Sequence, residues 1–376
     1  MGTIVKKFGG TSLQTKERIG LAVDDVIDSL EAGDHVTAVV SAMGREGDPY
    51  ATDSLIGLLQ EVSPDIDPMV QDLMMSNGEV ISASVLAHHL RSRGYPAVPM
   101  TGFQAGIFTT GDFGDARITD VDPVRMERLL SEERPVVLAG FQGVTVRSEV
   151  TTLGRGGSDT TAVTVGGYLG ADLVEIFTDV PGIAVVDPNL IDNPPFFSSV
   201  PREALLTLAE NGATVIHPRA VKRAIAGDVP FSIKCAWEEG RETLVDGSPA
   251  SPDTPLGIAM IDGLTGVRGN GERLRGSFNL QDAEGFLEIG GNEGVVLLDG
   301  RAGTGVGGDC EVSRGLSLVT AVSTRPEDTE ELIEEIVGAI SEEDYVGLER
   351  IDDGIRCLLP DGEAGRVIKT IYDLVY

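Results

Sequence analysis

Apolar residues recur in two alternating patterns along the first 235 positions of the chain. Short continuous apolar runs, which are typical of buried strands, are separated by segments with apolar residues at helical spacing. The strand-like runs are residues 3–8, 35–42, 97–100, 135–142, 173–178 and 230–235. The helix-like segments are residues 15–30, one from Asp53, 68–93, 123–130, 162–169, 201–211 and 218–226. This alternation predicts an α/β fold with a mostly parallel sheet sandwiched by helices.

The pattern changes after residue 237. Residues 237–256 are rich in charge, Gly, Ser and Pro, which indicates a linker. Beyond it we expect shorter strands, within 287–298 and at 315–322, and a strand pair or one long strand at 351–359. Helices are expected at 328–340 and 363–375. We interpret this part as a small α+β module made of two copies of one unit, the first much reduced. The predicted domains are therefore 1–240, 256–310 and 311–376.

The charge balance restricts the partners of the protein. The chain has 376 residues, with 60 Asp and Glu against 29 Lys and Arg, and a formal net charge of −31. Hydrophobic residues make up 41%, so the acidity does not indicate disorder. Because the acidic residues are scattered, we interpret the surface as adapted to high salt, with an ordinary acidic protein as the alternative. Binding to nucleic acid or to an anionic membrane is not expected.

The cysteines and histidines give no sign of a metal or disulfide site. Cys235, Cys310 and Cys357 are far apart and odd in number, which fits a reducing cytoplasm. His88 and His89 are adjacent on a predicted helix and face different ways, so they make a poor metal pair. The sequence has no apolar run of membrane-spanning length and no signal-peptide pattern at its start.

The strongest candidate for chemistry is the segment 151–162, TTLGRGGSDTTA. Its glycines allow backbone angles that turn successive N–H groups inward as an anion-binding nest. Ser158 is expected to cap the helix that follows, whose N-terminus adds partial positive charge. Arg155 offers a planar fork for a carboxylate or a phosphate. A plain glycine-rich hairpin turn is the alternative for this segment alone.

A second glycine-rich segment follows the first strand. Gly9 and Gly10 lie between the predicted strand 3–8 and the predicted helix 15–30, an arrangement typical of a phosphate-binding turn. Lys6 and Lys7 are neighbours on that strand and point to opposite faces, so at most one of them serves the turn. Two separate anion-binding segments predict one polyphosphate ligand held between them.

One further residue stands out inside a predicted helix. Glu79 follows Asn77 and Gly78 near the middle of the helical segment 68–93. A glycine is costly in a helix interior, so its presence suggests that Glu79 is a group that faces a ligand. An exposed helix glutamate is the alternative.

Several motifs, taken in order, resemble those of the aspartate kinases. The resemblance covers residues 3 to about 245 and is highly specific. The C-terminal part is similar to the paired ACT modules of these enzymes, although only the stretch from about Glu311 matches well. The matching motifs are KFGGTS, SAMG, TGFQAG, GFQG, TTLGRGGSDTTA, TDVPG and GATVIHPRAV.

The resemblance implies an ATP- and Mg²⁺-dependent kinase that phosphorylates aspartate, and a homodimer formed through the ACT-like part. It implies that Lys7, Asp159 and Ser41 serve the phosphoryl transfer. Aspartate would be bound by Thr52, Glu79, Arg155, Gly156, Gly157 and Ser158. The nucleotide would be bound by Lys7, Gly9, Gly10, Thr178, Asp179 and Asp187.

Three departures from the family pattern keep other functions open. Ala184 stands where a tyrosine is common, Asn189 replaces an arginine and Thr214 replaces a lysine. The last two remove positive charge from the nucleotide side, as expected of a non-catalytic, kinase-like amino-acid sensor. A kinase for another small carboxylate is the other alternative. The segment Thr324–Asp328 also lacks the Pro-Gly step that opens the effector-binding helix of many ACT domains.

Overall fold

The computed structural model describes residues 2–45, 47–238, 240–277, 284–290, 293–299, 310–341, 345–360 and 362–376. The chain divides into two compact units. The first unit contains Met1–Ile183 and Val215–Gly247, and the second contains Ala184–Thr214 and Ser248–Tyr376. Among the described residues, no helix is long and apolar enough to cross a membrane.

Helices and strands are numbered separately in chain order. The helices are α1 (Lys16–Glu31), α2 (Thr52–Gln60), α3 (Pro68–Met75), α4 (Asn77–Ser92), α5 (Val124–Ser131), α6 (Gly157–Leu169), α7 (Arg202–Glu210), α8 (Pro218–Gly227), α9 (Gly271–Ser277), α10 (Thr329–Ala339) and α11 (Ala364–Val375). The strands are β1 (Thr3–Phe8), β2 (His35–Val40), β3 (Val98–Met100), β4 (Ile107–Thr109), β5 (Ile118–Val121), β6 (Val136–Ala139), β7 (Gln142–Val144), β8 (Val150–Thr152), β9 (Leu173–Thr178), β10 (Ser199–Pro201), β11 (Phe231–Cys235), β12 (Glu242–Asp246), β13 (Leu256–Asn270), β14 (Gly285–Gly290), β15 (Glu293–Asp299), β16 (Glu311–Ser323), β17 (Gly347–Ile351) and β18 (Gly354–Pro360).

The first unit is built on a mostly parallel sheet, as the sequence predicts. Within this unit the strand order is β12-β11-β9-β1-β2-β6-β3. All neighbouring pairs are parallel except β11 and β12, which are antiparallel. The apolar runs of β2 and β6 are buried on both faces, which explains why they read as continuous rather than alternating patterns.

Helices cover the two faces of this sheet. On one face, α1 and α4 pack on a core that includes Phe8, Val36 and Ala139. Side chains alternate along β1, so Lys7 points to the opposite face, where α6 lies. The carboxyl ends of the parallel strands therefore meet at one edge, where ligands bind in sheets of this kind.

The first unit also contains a small sheet that the sequence pattern does not predict. Its strand order is β5-β4-β7-β8. The predicted strand 135–142 is wrong in its second half, because β6 ends at Ala139 and Gln142 begins β7 in this other sheet. Phe141 makes the corner between them with a φ of 67°, in the left-handed region. Such angles are uncommon for residues other than glycine, so pattern alone gives no warning of this corner.

Two helix predictions also need correction. The predicted helix 68–93 is two helices, because α3 ends at Met75 and α4 begins at Asn77. The helix after the glycine-rich segment begins at Gly157, earlier than the expected residue 162. The expectation that Ser158 caps this helix is wrong, since Gly156 occupies the N-cap position and no side chain caps it.

The second unit contains a six-stranded antiparallel sheet in the order β14-β15-β13-β16-β18-β17. Helix α10 packs on β18, and α11 packs on β16. This antiparallel sheet with its helices is consistent with an ACT-like α+β domain. The expectation of short strands is wrong, because β13 has 15 residues and β16 has 13. The predicted segment 351–359 is a hairpin of β17 and β18 that begins earlier, at Gly347. In the predicted strand segment 287–298, residues 291 and 292 lie outside the described residues.

Candidate active site

An open cavity of about 880 Å³ lies in the first unit, where the carboxyl ends of β1 and β2 face the start of α6. Its walls contain nine of the residues that the sequence singles out, which are Lys7, Ser41, Thr52, Glu79, Arg155, Gly156, Gly157, Ser158 and Asp159. The structure therefore brings together residues that are more than 150 positions apart in the chain. Ser41 is placed here by a hydrogen bond of 3.1 Å from its backbone N–H to the Phe8 carbonyl.

Lys7 is the ammonium group of this cavity. It lies 2.7 Å from Oδ1 of Asp159, in the first turn of α6, and its side chain is only 10% exposed. Its neighbour Lys6 points to the other face, where it pairs with Asp25 and Glu175. The prediction that the two lysines point to opposite faces of β1 is therefore confirmed.

Glu79 is buried at the cavity wall and is 3% exposed. Its Oε1 accepts a hydrogen bond of 3.0 Å from the backbone N–H of Ala42, whereas no described residue donates to its Oε2. Burial raises the pKa of Glu79 to about 8. A buried carboxylate oxygen without a donor is costly, so this position favours a cationic ligand.

The preceding glycine explains how Glu79 reaches the cavity. A Cβ atom at Gly78 would lie 2.7 Å from the Cβ of Ala42, so only glycine lets α4 approach the end of β2 so closely. The start of α4 is also held by Gln142, whose Nε2 donates a 2.7 Å hydrogen bond to the carbonyl of Ser76. The break between α3 and α4 therefore places the first turn of α4, with Glu79, at the site.

The glycine-rich segment forms the opposite wall. Gly154 and Gly156 have φ angles of 70° and 66°, which L side chains rarely adopt. A Cβ atom on Gly156 would lie 2.2 Å from the Cβ of His217, so the close packing of His217 also requires glycine there. This arrangement aims the N-terminus of α6, with its partial positive charge, into the cavity.

Arg155 projects from this segment. Its side chain is exposed at the cavity, and no described residue forms a hydrogen bond or ion pair with its guanidinium group. A free, planar guanidinium group is well suited to a carboxylate.

The turn after β1 packs against the loop after β2. A Cβ atom on Gly10 would lie 2.7 Å from the Ala42 carbonyl oxygen and 2.9 Å from that of Gly44. The backbone N–H of Gly9 donates to the carbonyl of Phe177 at 3.2 Å, so this N–H is already used within the protein. Gly9 and Gly10 do not line the cavity itself, but a Cβ atom on Gly9 would lie only 3.4 Å from the Lys7 Nζ.

The other residues predicted for the nucleotide lie outside the cavity walls. Asp179 follows β9 and forms an exposed ion pair of 2.7 Å with Arg45, and Thr178 donates to its carboxylate at 3.3 Å. Asp187 belongs to the second unit, where its Oδ1 accepts two hydrogen bonds of 2.8 Å from Asn189.

Sequence reasoning assigned no role to several residues of the cavity wall. Asp115 and Arg219 form an ion pair of 2.6 Å, and Arg219 also donates to the Leu153 carbonyl at 2.9 Å. His217 is the N-cap residue of α8, and its Nδ1 accepts a hydrogen bond from the Arg219 backbone N–H. Burial, followed by the charge of Arg219, lowers the pKa of His217. The motif GATVIHPRAV contains His217 and Arg219 and could have indicated them, whereas no sequence signal marks Asp115 or Asp53.

Among the described residues there is no group of three or more His, Cys, Asp or Glu side chains that could hold a metal ion. The cavity does contain oxygen donors of the kind that Mg²⁺ prefers, in Asp159 and Ser41. Mg²⁺ in phosphoryl-transfer sites is commonly bound by one or two carboxylates together with substrate phosphates. The donors that are present fit a metal ion of that kind.

Comparisons with known proteins agree with this geometry. Residues 2–235 match the model of the amino acid kinase family. Aspartokinase 1 of Bacillus subtilis (strain 168) is 35% identical, over 94% of this chain and 93% of the relative. The aspartokinase of Geobacillus stearothermophilus is 41% identical, over 71% of this chain but only 65% of the relative's length.

Solved structures show the same fold. The structure of E. coli aspartokinase III in complex with aspartate and ADP superimposes with a TM-score of 0.78, at 20% identity over 99% of both chains. The aspartate kinase of Clostridium acetobutylicum gives a TM-score of 0.73 at 20% identity, over 99% of this chain and 100% of that chain. The family model and the B. subtilis relative extend this likeness from fold to family. The chain belongs to the amino acid kinase family and, within it, to the aspartokinases.

Proposed function

We propose that this chain transfers the γ-phosphoryl group of ATP to the β-carboxylate of L-aspartate and releases 4-phospho-L-aspartate and ADP. The observation that carries the proposal is the presence of two unpartnered groups in one cavity. These are the buried Oε2 of Glu79 and the exposed guanidinium group of Arg155. An amino acid with a side-chain carboxylate has an ammonium group that can bind Glu79 and a carboxylate that can bind Arg155. The aspartokinase relatives support aspartate as that amino acid.

The chemistry needs no general base. A carboxylate is ionised at neutral pH, so its oxygen attacks the γ-phosphorus directly while the bond to the bridging oxygen breaks and ADP leaves with the electron pair. Catalysis then consists of positioning and of charge neutralisation. The ammonium group of Lys7 neutralises charge on the transferred phosphoryl group, and Asp159 holds Lys7 in place.

The remaining walls divide between the two substrates. Gly156, Gly157 and Ser158 at the start of α6 line the cavity and bind aspartate together with Arg155, whereas Ser41 lies near the transferred group. The residues proposed to bind aspartate are Thr52, Glu79, Arg155, Gly156, Gly157 and Ser158. The residues of the first unit that are proposed to bind the nucleotide are Lys7, Gly9, Gly10, Thr178 and Asp179. Mg²⁺ bound to the ATP phosphates would supply further charge neutralisation.

Several wider properties follow as parts of this proposal. The reaction would be the first step of biosynthesis of the aspartate-derived amino acids lysine, threonine and methionine. The chain would act in the cytoplasm, as a homodimer formed through the ACT-like part, and would be adapted to high salt. The net charge of −31 supports the last point, because screening by salt reduces the repulsion between like charges. Light scattering of the full chain in molar KCl would test the dimer.

The deciding experiment is a coupled assay of ADP release in molar KCl, with L-aspartate or L-glutamate as acceptor. Trapping of the acyl phosphate with hydroxylamine provides a second, independent readout. We expect ADP release and hydroxamate formation with aspartate only. Turnover with a different carboxylate would identify another acceptor. Aspartate binding in calorimetry without any turnover would instead favour an amino-acid sensor, the function that Asn189 and Thr214 leave open.

A further inference from the structure

A buried carboxyl group lies behind the glycine-rich wall of the cavity. Asp72, in the middle of α3, is 0% exposed and does not line the cavity. Its Oδ2 accepts hydrogen bonds from the backbone N–H groups of Thr152 at 2.7 Å and Gly114 at 2.9 Å, and its Oδ1 accepts from the Thr152 hydroxyl at 2.8 Å. Asp72 therefore joins two chain segments that are 38 residues apart (152 − 114).

Both segments lead directly into the site. Thr152 ends β8, three residues before Arg155. Gly114 precedes Asp115, and both line the cavity. A Cβ atom on Gly154 would lie 2.9 Å from Oδ1 of Asp115 and 3.1 Å from the Gly114 carbonyl oxygen. Gly154, the residue before Arg155, therefore packs closely against the turn at Gly114 and Asp115 that Asp72 holds.

The other side of the segment is held by Arg219. It donates to the Leu153 carbonyl at 2.9 Å and pairs with Asp115 at 2.6 Å. The contacts form a closed ring that runs from Asp72 through Thr152 and Leu153 to Arg219, and back through Asp115 and Gly114. Two of the three residues that precede Arg155, Thr152 and Leu153, are therefore held in place by hydrogen bonds.

We propose that Asp72 is a positioning residue, which fixes the backbone before Arg155 so that the guanidinium group meets the substrate carboxylate. This inference rests on the proposed function, in which Arg155 binds that carboxylate. Asp72 is fully buried behind the wall, so its effect on binding is exerted through Thr152 and Gly114 alone. Small displacements of a binding group are costly when the rest of the site is rigid, and this makes the affinity for aspartate depend on Asp72.

The test compares Michaelis constants in folded variants. In Asp72→Ala, the KM for aspartate should rise about tenfold or more, whereas the KM for ATP stays within about twofold. Asp72→Asn should largely restore the aspartate KM, because its oxygen still accepts both N–H groups and its NH₂ group can donate to the Thr152 hydroxyl. The matched control is Asp67→Asn, which removes the same charge from the same helix but at its exposed N-cap.

A second pair of variants guards against misfolding of Asp72→Ala. Thr152→Val removes the hydroxyl that Oδ1 of Asp72 accepts from, whereas Thr152→Ser keeps it. The aspartate KM should rise in Thr152→Val and stay near the wild-type value in Thr152→Ser. An equal aspartate KM in the two variants, or equal rises in the KM values of aspartate and ATP in Asp72→Ala, would overturn the proposal.

Hydrogen exchange separates this proposal from the proposed function. If the wild type does not phosphorylate aspartate, the proposed function fails, but the positioning role can still be read from amide exchange. In Asp72→Ala, or in Thr152→Val relative to Thr152→Ser, faster exchange confined to residues 111–115 and 151–158 supports it. Unchanged exchange in these segments, or a uniform increase throughout the first unit, contradicts it.

Discussion

The Nζ atom of Lys7 lies 2.7 Å from Oδ1 of Asp159, across the interface between β1 and the first turn of α6. This ion pair keeps a flexible side chain in one position at the edge of the cavity. A phosphoryl group bound there would contact an ammonium group that is already ordered. The side chain of Lys7 loses its conformational entropy on folding and not on binding.

We expect Lys7→Ala to lower turnover by about two orders of magnitude or more, because it removes the charge that neutralises the transferred phosphoryl group. Aspartate binding should survive, since Arg155 and Glu79 are unaffected. Steady-state kinetics and calorimetry with aspartate measure the two effects. Lys16→Ala, at an exposed position of α1, is the control. Turnover of Lys7→Ala within a few-fold of the wild type would refute the assignment.

Arg155→Lys should weaken aspartate binding by roughly 1–3 kcal/mol, the range of a lost charged hydrogen bond. Lysine keeps the charge but cannot form the two parallel contacts of a guanidinium group. The affinity for ATP should change far less. Binding of each substrate can be measured by calorimetry, with Arg147→Lys at an exposed loop position as the control. A variant that weakened ATP and left aspartate untouched would assign this segment to the nucleotide.

The affinity for aspartate should depend on pH through Glu79. Burial raises the pKa of this carboxyl group to about 8 in the free protein, whereas an ammonium group binds to its ionised form. Below that pH, binding therefore requires loss of a proton, and the KM for aspartate should fall by up to about tenfold per unit as pH rises toward the pKa. The dependence should disappear in Glu79→Gln. A wild-type KM that is flat with pH contradicts this prediction.

The same pKa has a consequence for stability. The pKa of Glu79 is raised from 4.5 to about 8 on folding, so between these values the native state binds more protons than the unfolded state. The contribution of Glu79 to the free energy of unfolding is fully present below pH 4.5 and is lost as pH rises through about 8. Glu79→Gln should therefore melt at a higher temperature than the wild type near pH 8, with little difference near pH 4.5. Equal melting temperatures near pH 8 would show that the buried charge costs nothing.

Stability should also depend on salt. The formal charge of −31 creates repulsion that salt screens, so the melting temperature should rise from low to molar KCl. Calorimetric melts at constant pH measure this directly. Sucrose, which stabilises proteins without screening charge, is the control. A midpoint that does not respond to KCl would remove the interpretation of an acidic surface adapted to high salt.

The sequence predicts this protein well where local pattern and motif determine the outcome. The parallel strands appear as continuous apolar runs, and the opposite orientations of Lys6 and Lys7 follow from strand periodicity alone. The clustering of Arg155 and Glu79 in one cavity was predicted only through the family resemblance. The segments that carry them meet at the sheet edge, and this depends on strand order.

The features that were missed depend on contacts between distant segments. Asp72 resembles any polar residue of an amphipathic helix until the fold places Thr152 and Gly114 around it. The left-handed angle of Phe141 is imposed by the corner between two sheets, although its residue type disfavours it. The break after Met75 is followed by Asn77 and Gly78, which disfavour a helix interior, but its effect on the orientation of α4 appears only in three dimensions.

Two adjacent lysines on β1 also restrict how this chain can vary. Lys6 meets Asp25 and Glu175 under α1, and Lys7 meets Asp159 under α6. Insertion or deletion of a single residue before Lys6 would exchange the faces of both side chains. One lysine would then occupy the position of the other, and the carboxylates at the vacated position would lose their cation. The strand therefore tolerates substitution of its apolar residues more readily than any change in its length. In relatives with this site, the spacing from the start of β1 to the glycine pair should vary less than the residues that fill it.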